Sequence, residues 1–299
     1  MSLENDYFRM QSIIKFSENN SQQKSFLNVA CVRWYINQIN ENIKPKIEVN
    51  DLKYFNKTNP KNVFDIDQFL KYESEINPNE RMQIPKVKIT KLQRERTREL
   101  YSGVNYKKDL QTLLNLYAIV GNNNTQLSMP PIFDGIEMFG SPLNTHNIYC
   151  SPFHIEKLFG SLGSFFDFEP TKEQINSGVV FLCNPPFDEI IMSKMADKII
   201  NLVKIHNNTI NFLITLPVWD PETQIKLNIK NYNTPFECLN KIRKSKIIKQ
   251  HKILDRKIFK YYDYYNNKYS PVCYSHLITI GETIQPIDYF TKKWVNSVN

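Results

Sequence analysis

The sequence predicts an α/β fold: a mostly parallel sheet flanked by helices, with a mainly helical region ahead of it. Three observations predict it. From about residue 130, short apolar runs of strand length recur with helical patterns between them, which is how parallel strands joined by crossover helices read. Before residue 120, residues 1–45 and the segment from Lys88 place apolar residues at helical spacing instead. Hydrophobic residues make up 41% of the 299-residue chain, enough for a core of domain size.

Taken in order, SFLNVACVRWYINQI sets Phe26, Val29, Ala30, Val32, Ile36 and Ile39 on one helical face within residues 1–45. Residues 45–90 are mixed, with turn signals in NKTNPKN and NPNERMQIPK. KITKLQRERTRELYSGVNYKKDLQTLLNLYAIV reads as one or two helices; its Arg94, Arg96 and Arg98 form either a solvated face or a contact to phosphates. GIEMFGSPLN holds a first short strand, GSFFDFEP a second and GVVFLCNPPF a third. DEIIMSKMADKIINLVKI follows as a helix, apolar at Ile190, Ile191, Met195, Ile199, Leu202 and Val203. TINFLITLPVW is a further strand, KSKIIKQHKIL another and YSPVCYSHLITIG a late one.

Charge and cysteine usage narrow the function classes. The formal charge of +8, with an isoelectric point near 9.0, suits a polyanionic partner, although the same excess also serves solubility. The five cysteines, at 31, 150, 183, 238 and 273, form no C-x-x-C pair. That argues against a zinc or redox motif and for free thiols in a reducing compartment, cytoplasmic or nuclear. MSLENDYFRMQ lacks the pattern of a signal or transit peptide, and no apolar run reaches the length of a membrane span.

The informative stretch is VVFLCNPPFDEII. Two prolines remove two backbone donors, so a strand cannot run on through them in a sheet interior. One reading is a plain strand terminator. The other is chemical, because ligand sites of open α/β sheets lie beyond the carboxyl ends of the strands. An exocyclic amine such as adenine N6 is a poor nucleophile, its lone pair being conjugated into the ring. The Asn184 side-chain oxygen and the Pro185 carbonyl could each accept one of its hydrogens and free that lone pair. Pro185 and Pro186 would keep the acceptors rigid, and Phe187 would stack on the base, a contact worth roughly 1–3 kcal/mol. The four residues resemble the (D/N/S)-P-P-(Y/F/W) motif of S-adenosylmethionine-dependent amino methyltransferases.

No G-x-G-x-x-G is present, so a cofactor loop must take another form. FGSPLN is the best candidate, with Phe139, Gly140, Ser141 and Pro142; Gly140 would let backbone approach the cofactor. Asp167 in FFDFEP is either a turn cap or a carboxylate at a strand end that accepts from ribose hydroxyls.

The order SPLN, YCSPF, FGSLG, DFEP, NPPF, from about Glu137 to Ile191, resembles the catalytic core of the phosphorylated-CTD-interacting-factor family, the cap-specific adenosine N6-methyltransferases. LITLPVW is a weaker echo, placing Trp219 at a strand end near the site. The resemblance implies a Rossmann-like class I S-adenosylmethionine-dependent methyltransferase domain over 105–299, after a mainly helical accessory region over 1–104. It implies S-adenosylmethionine as cofactor, near Phe139, Gly140, Ser141, Pro142 and Asp167. It also implies a capped mRNA 5′ end as substrate, its first adenosine held by Asn184, Pro185, Pro186 and Phe187. The chain departs from the animal members in one respect: its tryptophans, 34, 219 and 294, are scattered, and no paired-tryptophan WW module is evident.

Lys, Arg and Tyr interleave from Lys241 to Tyr269. Arg243, Lys246, Lys249, Lys252 and Arg256, with Trp219, could form a groove for phosphates and bases; the other reading is a solvated loop. His251 and His276 are lone histidines with packing or surface roles rather than metal ligands. Two rival functions remain on sequence alone. One is N6-adenine methylation of DNA or internal RNA sites, and the other is a catalytically silent RNA-binding subunit.

Overall fold

The computed structural model describes residues 7–8, 10–13, 15–16, 66–76, 84–119, 127–229 and 236–298. The helix expected around Phe26 to Ile39, with Trp34, lies outside them, as does most of 45–90. The described residues fall into two compact units that interleave along the chain. The first takes residues up to 88, 103–124 and 152–155. Within it, helical residues at 7–8, 10–13 and 15–16 bury Met10, Ile13 and Phe16, and Phe16 meets Phe69 of α1 (Ile66–Glu75) edge-on at 5.6 Å.

The second unit takes 89–102, 125–151 and 156–299. It opens with α2 (Lys91–Leu100), started by a capping box between Thr90 and Gln93. The helix α3 (Tyr106–Ile119) belongs to the first unit. The sheet comprises β1 (Ile136–Glu137), β2 (Ile148–Tyr149), β3 (Val180–Cys183), β4 (Asn211–Pro217), β5 (Ile248–Leu254) and β8 (Ser275–Ile280). Its order is β2-β1-β3-β4-β8-β5, parallel throughout except for β8, which runs antiparallel to both neighbours. A separate hairpin, β6 (Tyr261–Asp263) and β7 (Lys268–Ser270), interrupts the path from β5 to β8. The mixed α/β class and the mostly parallel sheet agree with the sequence reading.

Burial explains the element types. All seven residues of β4 are buried, as a central strand covered on both faces requires, whereas β5 at the edge is largely exposed and carries Lys249 and Lys252. On one face, α5 (Glu189–Ile205) lays down Met192, Met195, Ala196, Ile199, Leu202 and Val203 against Phe181, Phe212 and Ile214. The helix α7 (Glu237–Lys244) adds Cys238, Leu239 and Ile242 there. On the other face, α8 (Ile287–Val298) buries Phe290 and Trp294 with Leu213, Leu254 and Leu277, and the Trp294 indole donates to the Lys260 carbonyl at 2.8 Å. The helices α4 (Lys172–Asn176) and α6 (Pro221–Lys226) are short connectors.

One expected element is absent. GSFFDFEP forms no strand: Phe165, Phe166 and Asp167 make a turn, with Asp167 N donating to the Ser164 carbonyl at 3.1 Å. Gly163, at φ +97°, leads into it, and the ladder it would have joined is already closed by Ser161 bridging Tyr149. Among the described residues no helix is long and apolar enough to cross a membrane.

Candidate active site

The chain leaves β1 for β2 on one side and returns from β2 to β3 on the other side of β1. The order therefore reverses between β1 and β3, and the carboxyl ends of those two strands flank the crevice where open α/β sheets take ligands. FGSPLN leaves β1 there, NPPF leaves β3 and Val218-Trp219-Asp220 leaves β4 beside it.

Asn184 is the first residue past β3, and its side chain is 5% exposed. The parallel register that pairs Cys183 with Ile214 sets Asn184 next to Thr215. The Thr215 hydroxyl donates to Asn184 Oδ1 at 2.8 Å, and Asn184 Nδ2 donates to the Leu127 carbonyl at 3.2 Å. Below Thr215, the buried Tyr261 hydroxyl pairs with Ser275 Oγ at 2.8 Å. Pro185 is buried and Pro186 exposed; the Pro186 carbonyl accepts from Asp188 N, and the Asp188 side chain caps α5 through Ile191 N. This turn delivers Phe187 outward, 36% exposed, with its ring edge-on to Trp219 at 6.3 Å. Trp219 in turn packs on Phe236 at 5.9 Å.

The loop after β1 is held tightly. Asn144 Oδ1 accepts from Ser141 N at 2.7 Å, Ser141 Oγ accepts from Leu143 N at 3.2 Å, and Ser141 and Pro142 are buried. Gln93 donates to the Leu143 carbonyl and Arg96 to the Thr145 carbonyl, so α2 also anchors this loop. A Cβ on Gly140 would stand 2.8 Å from Tyr149 Cβ, so the glycine is required by the packing of Tyr149. YCS and FGSLG brace each other. Leu162 N donates to the Tyr149 carbonyl, Ser151 N to the Gly163 carbonyl, Tyr149 Oη to the Phe159 carbonyl, and the hydroxyls of Ser151 and Ser161 meet at 2.6 Å. Phe139 is half-buried against Phe165 and Phe166, at 5.4 and 6.2 Å, which brings it to the turn that bears the exposed Asp167.

The basic candidates are spread over both faces of the sheet. Arg243 Nη1 on α7 lies 3.9 Å from Asp220 Oδ2, on the side of Trp219. Lys246 sits in a left-handed turn after α7. Lys249 donates to the Glu282 and Ile284 carbonyls, Lys252 pairs with Asp288 of α8, and Arg256 lies 6.0 Å from the Tyr274 ring centre. Of this group, Trp219 meets Phe187 of NPPF, and Arg243 lies by Asp220, the residue after Trp219.

Sequence reasoning missed Thr215, Glu137 and the pair of Asp220 with His276. Thr215 had a signal: it is the only hydroxyl in the otherwise apolar run FLITLPVW. Glu137, at the end of β1, is buried and lies on the sheet face that carries Asn184 and Thr215. Burial pushes its carboxyl up to about 7, with a hydrogen bond from Thr145 acting the other way.

Residues 133–263 match the family model described as Phosphorylated CTD interacting factor 1 WW domain. The matched stretch runs from just before β1 to the end of β6 and holds one tryptophan, Trp219. No curated protein matches the chain.

Proposed function

Because the chain belongs, across residues 133–263, to the phosphorylated-CTD-interacting-factor family, we propose that it is an S-adenosylmethionine-dependent N6-methyltransferase of adenosine. Its substrate in this reading is the first transcribed adenosine beside a 7-methylguanosine mRNA cap. The observation that carries the reading is the Asn184 carboxamide, pinned at the carboxyl end of β3 beside the exposed Phe187.

The residues around the end of β1 fit the cofactor. The half-buried Phe139 adjoins an exposed turn whose Asp167 carboxylate has no cation partner among the described residues. In this reading Phe139, Gly140, Ser141, Pro142 and Asp167 hold S-adenosylmethionine, with the buried Ser141 and Pro142 acting by shaping the loop. When bound, it supplies a methyl group on a cationic sulfur. The protein's share is orientation. Asn184 Oδ1 accepts one hydrogen of the adenine amine, the Pro185 carbonyl accepts the other, and Phe187 stacks on the base. Trp219 backs the Phe187 ring and so fixes the plane of the stack. The amine gives up a proton after attack, so no general base is needed beforehand. The net charge of +8 favours RNA approach. A nuclear or cytoplasmic location fits this reading.

The test offers purified protein a labelled methyl donor and matched adenosine-initiated RNAs, 7-methylguanosine-capped, unmethylated-capped and triphosphate-ended, beside DNA of the same sequence. Label confined to the capped first adenosine is expected. Equal label on uncapped RNA or DNA discards the cap and keeps the chemistry. No transfer, with no cofactor binding by calorimetry, overturns the reading in favour of a silent RNA-binding subunit.

A further inference from the structure

We propose that Thr215 is a positioning residue for Asn184, holding the oxygen end of the carboxamide where it can accept from the substrate amine; this rests on the role given to Asn184 above. A side-chain amide can turn over and exchange its oxygen for its nitrogen at little steric cost. Turned over, Asn184 would present a donor to an amine whose hydrogens need acceptors. Two contacts hold the amide, and one of them, the Leu127 carbonyl, fixes its direction. The Leu127 carbonyl can only accept, so the end facing it must be Nδ2, at 3.2 Å. The Thr215 hydroxyl donates to the other end, Oδ1, at 2.8 Å.

The remaining chemistry of Oδ1 follows from this count. A carboxamide oxygen accepts two hydrogen bonds. Thr215 occupies one site on Oδ1 and leaves the second for the amine. Thr215 is itself fully buried, so water does not compete for its hydroxyl. The Tyr261 hydroxyl, close to Thr215, pairs with Ser275 Oγ at 2.8 Å. The placement depends on register, since a shift of β4 by one residue would turn Thr215 to the α5 face.

The test compares wild type with Thr215→Val, which keeps the shape and removes the hydroxyl, and Thr215→Ser, which restores it. Two readouts are used on the full chain: methyl-transfer kinetics on an adenosine-initiated RNA, and the Asn184 side-chain amide signals in nitrogen-15 spectra of the cofactor-free protein. Thr215→Val is expected to lower kcat about tenfold or more with little change in the donor's KM, and Thr215→Ser to stay within about threefold of wild type. The amide signals should move in the valine variant and stay in place in the serine variant. If wild type transfers no methyl to N6, the proposed function falls and the role of Thr215 falls with it. If wild type is active and Thr215→Val keeps its kcat or its amide signals, the positioning role falls alone. Equal losses in both variants, with weakened cofactor binding and lowered melting temperature, would also overturn it, by making Thr215 a packing residue.

Discussion

His276 Nε2 and Asp220 Oδ1 lie 2.7 Å apart, the histidine completely buried on β8 and the aspartate immediately after Trp219. Burial alone would raise the Asp220 carboxyl. The hydrogen bonds from His276 and Thr223 outweigh it and hold the group well below the usual carboxylate range. Asp220 is therefore a carboxylate, which only accepts, and His276 Nε2 carries the proton. The same carboxylate caps α6 through Thr223 N and Oγ1. Beyond it, His251 Nε2 meets His276 Nδ1 at 2.9 Å, and burial, with His276 and Arg243 nearby, pushes His251 down to about 4. The backbone that follows Trp219 is thus tied to β8, and the indole is backed by Phe236.

Asp220→Ala removes a helix cap and a charge-assisted bond together, and should cost about 2–5 kcal/mol at neutral pH. Because the folded carboxyl lies below its ordinary value, its stabilisation is fully present above that value and is lost as pH falls below it. Thermal melts of wild type and variant should differ at pH 7 and draw together toward pH 3. A constant difference across that range would deny the carboxylate this role.

Phe187→Ala should weaken binding of adenosine-initiated RNA by roughly 1–3 kcal/mol, the worth of one stacked base. Phe187→Trp should retain binding, since the ring stands 36% exposed and has room outward. Fluorescence titration with short RNAs measures both. Equal affinity for wild type and the alanine variant would remove Phe187 from the base site.

Asn184→Ala should lower methyl transfer about 10²–10³-fold, the scale of losing one preorganised polar contact. Cofactor affinity, read by calorimetry, should be unchanged. Asn184→Asp should fail as well, because one carboxylate oxygen would then face the Leu127 carbonyl, acceptor against acceptor. Full activity of either variant under saturating cofactor would sink the mechanism.

The middle of the sheet was legible because its strands are buried on both faces, and so read as continuous apolar runs: VFLC became β3 and NFLITLP became β4. The turn at Phe165–Asp167 was misread because three phenylalanines in four residues mimic a strand, although Phe165 and Phe166 both meet Phe139 and Phe168 meets Phe181. NPPF stood out because two prolines leave few alternatives. Its supports did not, because Thr215 lies 31 residues from Asn184 and His276 lies 56 from Asp220. Only strand order and register bring those pairs together. The basic segment shows the opposite relation between sequence and space. Its residues are adjacent in sequence, yet β5 and α7 send Lys252 and Arg243 to different faces of the sheet.

Glu137→Gln tests the buried acid at the end of β1. Burial raises the Glu137 carboxyl from an ordinary 4.5 to about 7, so the folded protein binds a proton there that the unfolded chain has released. A carboxyl raised in this way contributes stability that is complete below its unfolded value and is lost as pH rises through its folded value. Between those limits this residue makes the protein less stable with rising pH, by at most about 3 kcal/mol in total. Glutamine has nearly the same shape and no titration. The variant should therefore melt near wild type at pH 5 and above it at pH 8. Glu189, also raised to about 7 chiefly by burial, keeps its own slope in both proteins, so the difference between the two curves isolates Glu137. A variant that melts below wild type at pH 8 would mean that the charged carboxylate is itself stabilising, and would reverse the assignment of Glu137 as a buried acid with no ion-pair partner among the described residues.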